Sequence, residues 1–150
     1  MRAISELLPD VTWAPAAAFW SACAQNELRF PHCARCGRYQ WYPRDFCAGC
    51  MGDEFDWAEI DPVGFVYSYT VVRRAFLPGS DVNVPFTVLQ VQFDHAPGVT
   101  LLTNLADERQ ADGVRVGARV RVAFTEVDDP KSGNTVTMPY VRLDEASDPG

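Results

Sequence analysis

The chain has 150 residues, 47% of them hydrophobic and 12% aromatic, so it holds about one domain's worth of material and can bury a core. Its formal net charge is −7, from 13 Lys and Arg against 20 Asp and Glu, which argues against nucleic acid or an anionic membrane as the main partner. No apolar run approaches the length of a bilayer span, and Met1–Asp10 lacks the apolar stretch of a signal peptide, so a cytoplasmic location is expected.

Residues 1–28 read as an N-terminal helical segment, with the helix itself over 10–28. Pro15 suits a first turn, and Ala16, Ala17, Ala18, Ala22 and Ala24 are strong helix formers. Phe19, Trp20 and Cys23 share a broad apolar stripe, with Trp13 just upstream. Cys23 on that face reads as a small core residue.

Residues 29–56 form a candidate metal module. Five cysteines in a chain without an export signal do not make a disulfide framework. Four of them fall in two C-x-x-C pairs, Cys33/Cys36 and Cys47/Cys50, with ten residues between. Each such turn presents two thiolates on one side, and two turns joined by a hairpin complete a tetrahedral site for a structural zinc. Gly37 and Gly49 are expected to take the positive φ that these turns require. A tetrathiolate also accepts iron, so an electron-transfer site is the alternative at the metal. The module has little apolar core of its own, and the metal stands in for one.

Charge is segregated here. Arg29, Arg35, Arg38 and Arg44, interleaved with Phe30, Tyr39, Trp41 and Tyr42, precede Asp45, Asp53, Glu54, Asp56, Glu59 and Asp61. The arginines suit phosphates, an acidic partner, or compensation of the −2 charge that four thiolates leave on a divalent metal.

Residues 57–143 switch to a period of two. Strands are expected over 64–72, 86–93, 99–104, 119–125 and 135–143, separated by Pro78-Gly79-Ser80, Ala96-Pro97-Gly98, Val116-Gly117 and Ser132-Gly133-Asn134. Five short strands with no convincing helix between them predict a mainly β chain ending in an OB-fold barrel. The segment from Arg73 and Arg74 through Phe76 to Pro85 is long enough to serve as a binding loop. Residues 144–150 read as a tail. No catalytic constellation is apparent: His32 and His95 are expected at the surface, four thiolates close a metal's shell, and no nucleophile elbow or phosphate loop occurs.

The ordered set of motifs resembles domain-of-unknown-function family 35. It comprises the aromatic helix, Glu27-Leu28-Arg29-Phe30-Pro31-His32-Cys33-Ala34-Arg35-Cys36-Gly37, Tyr42-Pro43-Arg44, the second C-x-x-C, Gly64–Val72, and Val116-Gly117-Ala118-Arg119-Val120. The likeness covers roughly residues 12 to 143; where many members have Pro-Pro-Arg, this chain has Tyr-Pro-Arg. The resemblance implies a rubredoxin-like zinc ribbon followed by an OB-fold. It further implies a non-catalytic, acyl-CoA-associated subunit of a thiolase-like enzyme, such as an acyltransferase or a steroid side-chain aldolase, or else of a hot-dog-fold enoyl-CoA hydratase. Arg35, Arg38, Trp41, Arg44, Arg73, Arg74 and Phe76 then become candidates for contact with acyl-CoA or partner. Trp13, Phe19 and Trp20 are candidates for the partner interface of a hetero-oligomer, because a thin ribbon and one helix offer little area to bury them. A zinc-ribbon and OB-fold nucleic-acid module is the competing class, supported by the Arg and aromatic mix and opposed by the net charge.

Overall fold

The computed structural model describes residues 8–74, 84–129 and 132–144. The N-terminal segment begins with a 3-10 turn, Ala14–Ala16, that contains Pro15, and continues as α1, Ala17–Ala24. This is shorter than the helix expected over 10–28. Trp13 is extended, at φ −61° and ψ 114°, so the chain turns helical only after it. At the other end Asn26 takes φ 60°, and the N–H groups of Gln25, Asn26 and Glu27 return to the carbonyls of Ala22 and Cys23. Asn tolerates the left-handed conformation that closes a helix, and the chain reverses there.

It reverses into a strand. β1, Leu28–Cys33, pairs antiparallel with β2, Phe55–Ile60, from Leu28 opposite Ile60 to Cys33 opposite Phe55. The cysteine-rich segment is the elaborated tip of this hairpin. Arg29 ties its two strands, donating to Glu27 at 2.9 Å and to the Trp57 carbonyl at 3.0 Å.

The remaining strands are β3 (Val63–Val72), β4 (Phe86–Phe93), β5 (Ala96–Asn104), β6 (Arg119–Asp128) and β7 (Thr135–Leu143). They form one antiparallel sheet in the order β5-β4-β3-β6-β7. The sheet curls until its edges meet. Leu105 bridges Val141, the Ala106 N–H donates to the Val141 carbonyl at 2.8 Å, and Thr103 Oγ1 donates to the Pro139 carbonyl at 2.8 Å. A first strand at the centre, with the third and fifth closing the circuit, is the OB-fold arrangement. Ala96-Pro97-Gly98, expected as a turn, instead opens β5, and the reversal falls at Asp94 and His95. The sheet requires glycine at residue 64, where a Cβ would stand 2.0 Å from the Gln92 carbonyl oxygen.

One element inside the barrel's chain segment had no sequence signal. A 3-10 helix, Glu108–Gly113, lies between β5 and β6. Its Glu108 carboxylate accepts the Thr87 N–H at 2.9 Å and the Thr87 hydroxyl at 3.0 Å, and Gln110 Oε1 accepts the Leu143 N–H at 3.0 Å. Six residues are too few for a hydrophobic period, so its anchors are polar.

Inside the barrel, Thr87, Leu89, Val91 and Phe93 of β4 face Val99, Leu101 and Thr103 of β5 with the alternation of a half-buried sheet. This core continues into the ribbon through aromatic contacts. Phe30 of β1 lies 5.6 Å from Phe93, 5.8 Å from Phe19 of α1 and 5.7 Å from Trp41, measured between ring centroids. Phe19 is 1% exposed, which corrects its assignment to a partner interface: its ring is spent on the chain's own core. Phe19→Ala should therefore cost the isolated chain about 3–5 kcal/mol, lowering its thermal transition whether or not a partner is present.

Candidate functional site

The ribbon contains two turns built alike. In the first, the Gly37 N–H donates to the Cys33 carbonyl at 2.9 Å and the Cys33 N–H to the Arg38 carbonyl at 2.8 Å. In the second, the Met51 N–H donates to the Cys47 carbonyl at 3.0 Å and the Cys47 N–H to the Gly52 carbonyl at 2.7 Å. Cys33-to-Arg38 and Cys47-to-Gly52 are thus equivalent positions. The residue after the second cysteine carries positive φ in each: Gly37 at 78° and Met51 at 64°. Gly49 does not, which corrects the role expected for it. Its lack of a side chain serves contact instead, since a Cβ there would meet Arg38 Nε at 2.7 Å.

The two turns face one another, and the four sulfurs converge within 4.8 Å, with Cys33 3.6 Å from Cys50 and Cys36 3.5 Å from Cys47. A zinc 2.3 Å from each of four thiolates at tetrahedral angles sets about 3.8 Å between sulfurs. The cage therefore fits that ion. The backbone prepares it for negative charge: the N–H groups of Cys36, Gly49 and Gly52 point at the sulfurs of Cys33, Cys47 and Cys50 at 3.3–3.5 Å. Donation from the Cys50 and Gly49 N–H groups holds the Cys47 thiol down at about 6. At Cys36 the Arg38 N–H acts in the same sense, but the crowded sulfurs of Cys47, Cys50 and Cys33 and burial outweigh it and push the thiol up to about 11. Four sulfurs this close need a cation to be thiolates together.

Arg38 lies across the second turn at Gly49, and Arg35 lies within 3.4 Å of the Cβ position at Gly52. Both guanidinium-bearing side chains of the first turn thus pack over the second, beside the charge of the cage. The other candidate residues lie elsewhere. Trp41 is half-buried, 4.4 Å from Phe19, and its Nε1 is buried with no hydrogen-bond partner among the described residues. Trp20 meets Phe19 edge-on at 4.9 Å. Trp13, 52% exposed, and Arg44 line a groove of about 570 Å³ with Pro31, Pro43, Phe55 and Trp57. Arg73 and Arg74 are exposed at the end of β3, and Phe76 lies outside the described residues. Arg29 belongs to the hairpin, bonded to Glu27 and the Trp57 carbonyl.

His95 is exposed, whereas His32 is half-buried with its ring 4.7 Å from that of Tyr39. Sequence reasoning missed Gln40, a buried amide that donates to the Phe46 carbonyl at 3.4 Å and accepts the Ala48 N–H at 3.2 Å. It pins the loop leading to Cys47. A single Gln in an aromatic run carries no periodic signal.

This is a rubredoxin-like zinc ribbon, built on a two-stranded hairpin and sharing its core with an OB-fold barrel. Residues 20–56 match the family model described as the ChsH2 rubredoxin-like zinc ribbon domain, and residues 57–125 match that of the ChsH2 C-terminal OB-fold domain. The chain belongs to the DUF35 family. It is similar in structure to the Ltp2-ChsH2(DUF35) aldolase, with a TM-score of 0.73 and 26% identity over 91% of this chain and 98% of that one. It also shares its fold with a DUF35 protein of unknown function from Sulfolobus solfataricus, at a TM-score of 0.55 and 24% identity over 75% of this chain and 80% of that one. None of the curated proteins matches the chain. Among the described residues no helix is long and apolar enough to cross a membrane.

Two substitutions probe the cage. Cys36→Ser should lose the metal and unfold the ribbon, seen as loss of bound zinc and of dispersion in the ribbon's NMR signals. Met51→Gly relieves a left-handed conformation at an exposed side chain and should slow zinc loss to a chelator, with a gain of up to about 1 kcal/mol.

Proposed function

We propose that this chain is the non-catalytic, acyl-CoA-associated subunit of a thiolase-like enzyme that makes or breaks a carbon–carbon bond in an acyl-CoA, as a steroid side-chain aldolase does. The observation that carries this reading is the likeness to the Ltp2-ChsH2(DUF35) aldolase across nearly the whole chain. In this reading Cys33, Cys36, Cys47 and Cys50 hold one structural zinc per chain, residues 29–56 act as the ribbon and residues 57–143 as the barrel, and the protein works in the cytoplasm. A tetrathiolate zinc keeps no open position for a substrate or water, so its work is to hold the ribbon in shape. The reacting groups belong to the partner.

The exposed residues give the partner and the acyl-CoA something to meet. Trp13 and Arg44 stand at one groove, and Arg35 and Arg38 lie over the cage. Aromatic and arginine side chains are the types that dominate protein interfaces, and arginine is suited to phosphates.

Co-expression with the thiolase-like enzyme of the same genomic neighbourhood tests the reading. We expect a stable hetero-oligomer on size exclusion, about one zinc per DUF35 chain by elemental analysis, and turnover of acyl-CoA by the complex alone. Turnover by the isolated chain, or a chain that forms no complex with that enzyme, would overturn it.

A further inference from the structure

β3 is longer than the barrel needs. It pairs with β4 along its length, from Gly64 opposite Phe93 to Val72 opposite Phe86. On its other side it pairs with β6 only over Val63–Phe65, and the last hydrogen bonds there join Val66 to Ala118 and Gly117. From Tyr67 to Val72, no strand among the described residues lies along that edge. Tyr67, Ser68, Tyr69 and Thr70 are all exposed, Tyr67 at 53% and Tyr69 at 42%. Four successive exposed residues mean that neither face of this stretch is packed. A strand with a free edge and two free faces is a template for another chain, since its outward N–H and C=O groups are met in full only by a second extended backbone.

We propose that Tyr67–Val72 receives an extended, acid-bearing segment of the partner subunit as an added β-strand; this rests on the reading above that the chain works beside a catalytic subunit. The charge comes from Arg73 and Arg74, which follow the free edge, are exposed, and make no ion pair with a described residue. They select an acid on the incoming strand. A second copy of this chain is a poor occupant: residues 63–72 contain no acid, so antiparallel pairing of two β3 strands leaves four arginines uncompensated. Tyr67 and Tyr69 supply large, rigid contact area beside the backbone pairing.

Hydrogen exchange on the hetero-oligomer and on the isolated chain tests this. From Ser68 on, past the register shift that leaves Tyr67 unpaired, one of two consecutive residues turns its amide to β4 and the other to the open edge. The edge-facing amides of residues 67–72 should exchange rapidly in the isolated chain and become protected at least tenfold in the complex. Ser68→Pro and Tyr69→Pro, made separately, give a second measure. The one that removes the edge-facing donor should keep the zinc content and thermal transition of the isolated chain yet weaken assembly by about tenfold. The double variant Arg73→Glu/Arg74→Glu should weaken assembly and reduce its dependence on salt. If the complex forms without protection of these amides, the strand-addition inference falls and the subunit reading stands. If no complex forms, both fall. Protection of residues 67–72 in a dimer of this chain alone would overturn the choice of occupant.

Discussion

Phe30 holds the molecule together as one body. It sits on β1 with Phe19 of the helix on one side, Trp41 of the ribbon loop on another, and Phe93 of the barrel beyond. A two-stranded hairpin carrying a metal at its tip is too thin to bury a core by itself. Here it borrows one. The aromatic rings extend the barrel's interior into the ribbon, so the position of the cage relative to the barrel is fixed by packing rather than by a linker. Tyr42, its ring tilted against that of Trp41 at 4.9 Å, carries that continuity to the surface next to Pro43 and Arg44.

The metal cage obeys a different rule, that of charge. Its two turns each donate backbone N–H groups inward to sulfur, which concentrates negative charge at a point with no carboxylate needed. Arg35 and Arg38 then cross from one turn to the other and brace the two halves against each other. The turns are nearly symmetric, and they differ where the sequence does: glycine takes the left-handed position in one and methionine in the other. The second turn pays for that position in backbone strain.

Much of this was legible before any coordinates. Two C-x-x-C pairs ten residues apart specify a cage almost by arithmetic, and a period of two with turn residues between strands specifies a small antiparallel barrel. The miss at Gly49 has a simple origin: a glycine inside the motif looks like the turn residue, whereas the demand falls one place after the motif. β1 was hidden because Pro31, His32 and Cys33 break the β-branched pattern of ordinary strands, and β2 because Asp56 and Glu59 interrupt a stretch of only six residues. The 3-10 helix after β5 is held by Glu108 and Gln110, which composition cannot distinguish from surface residues. Phe19 was the instructive error. An aromatic stripe on a short helix announces burial, but only the topology decides whether the cover comes from the same chain.

That topology has a consequence for the order of assembly. The helix packs not only on β1 but also on β7, with Trp20, Ser21 and Ala24 beside Thr135, Val136 and Thr137. Elements near the two ends of the chain thus complete one surface. During synthesis the helix leaves the ribosome more than a hundred residues ahead of this part of its cover, whereas β1 follows it directly. Until β7 emerges and closes the barrel, Phe19 can rest on Phe30 and Trp41, but the side bearing Trp20, Ser21 and Ala24 lacks its native cover, and contacts so distant in sequence form slowly. The nascent chain therefore passes through an interval, its length set by translation, in which one side of the helix stays uncovered.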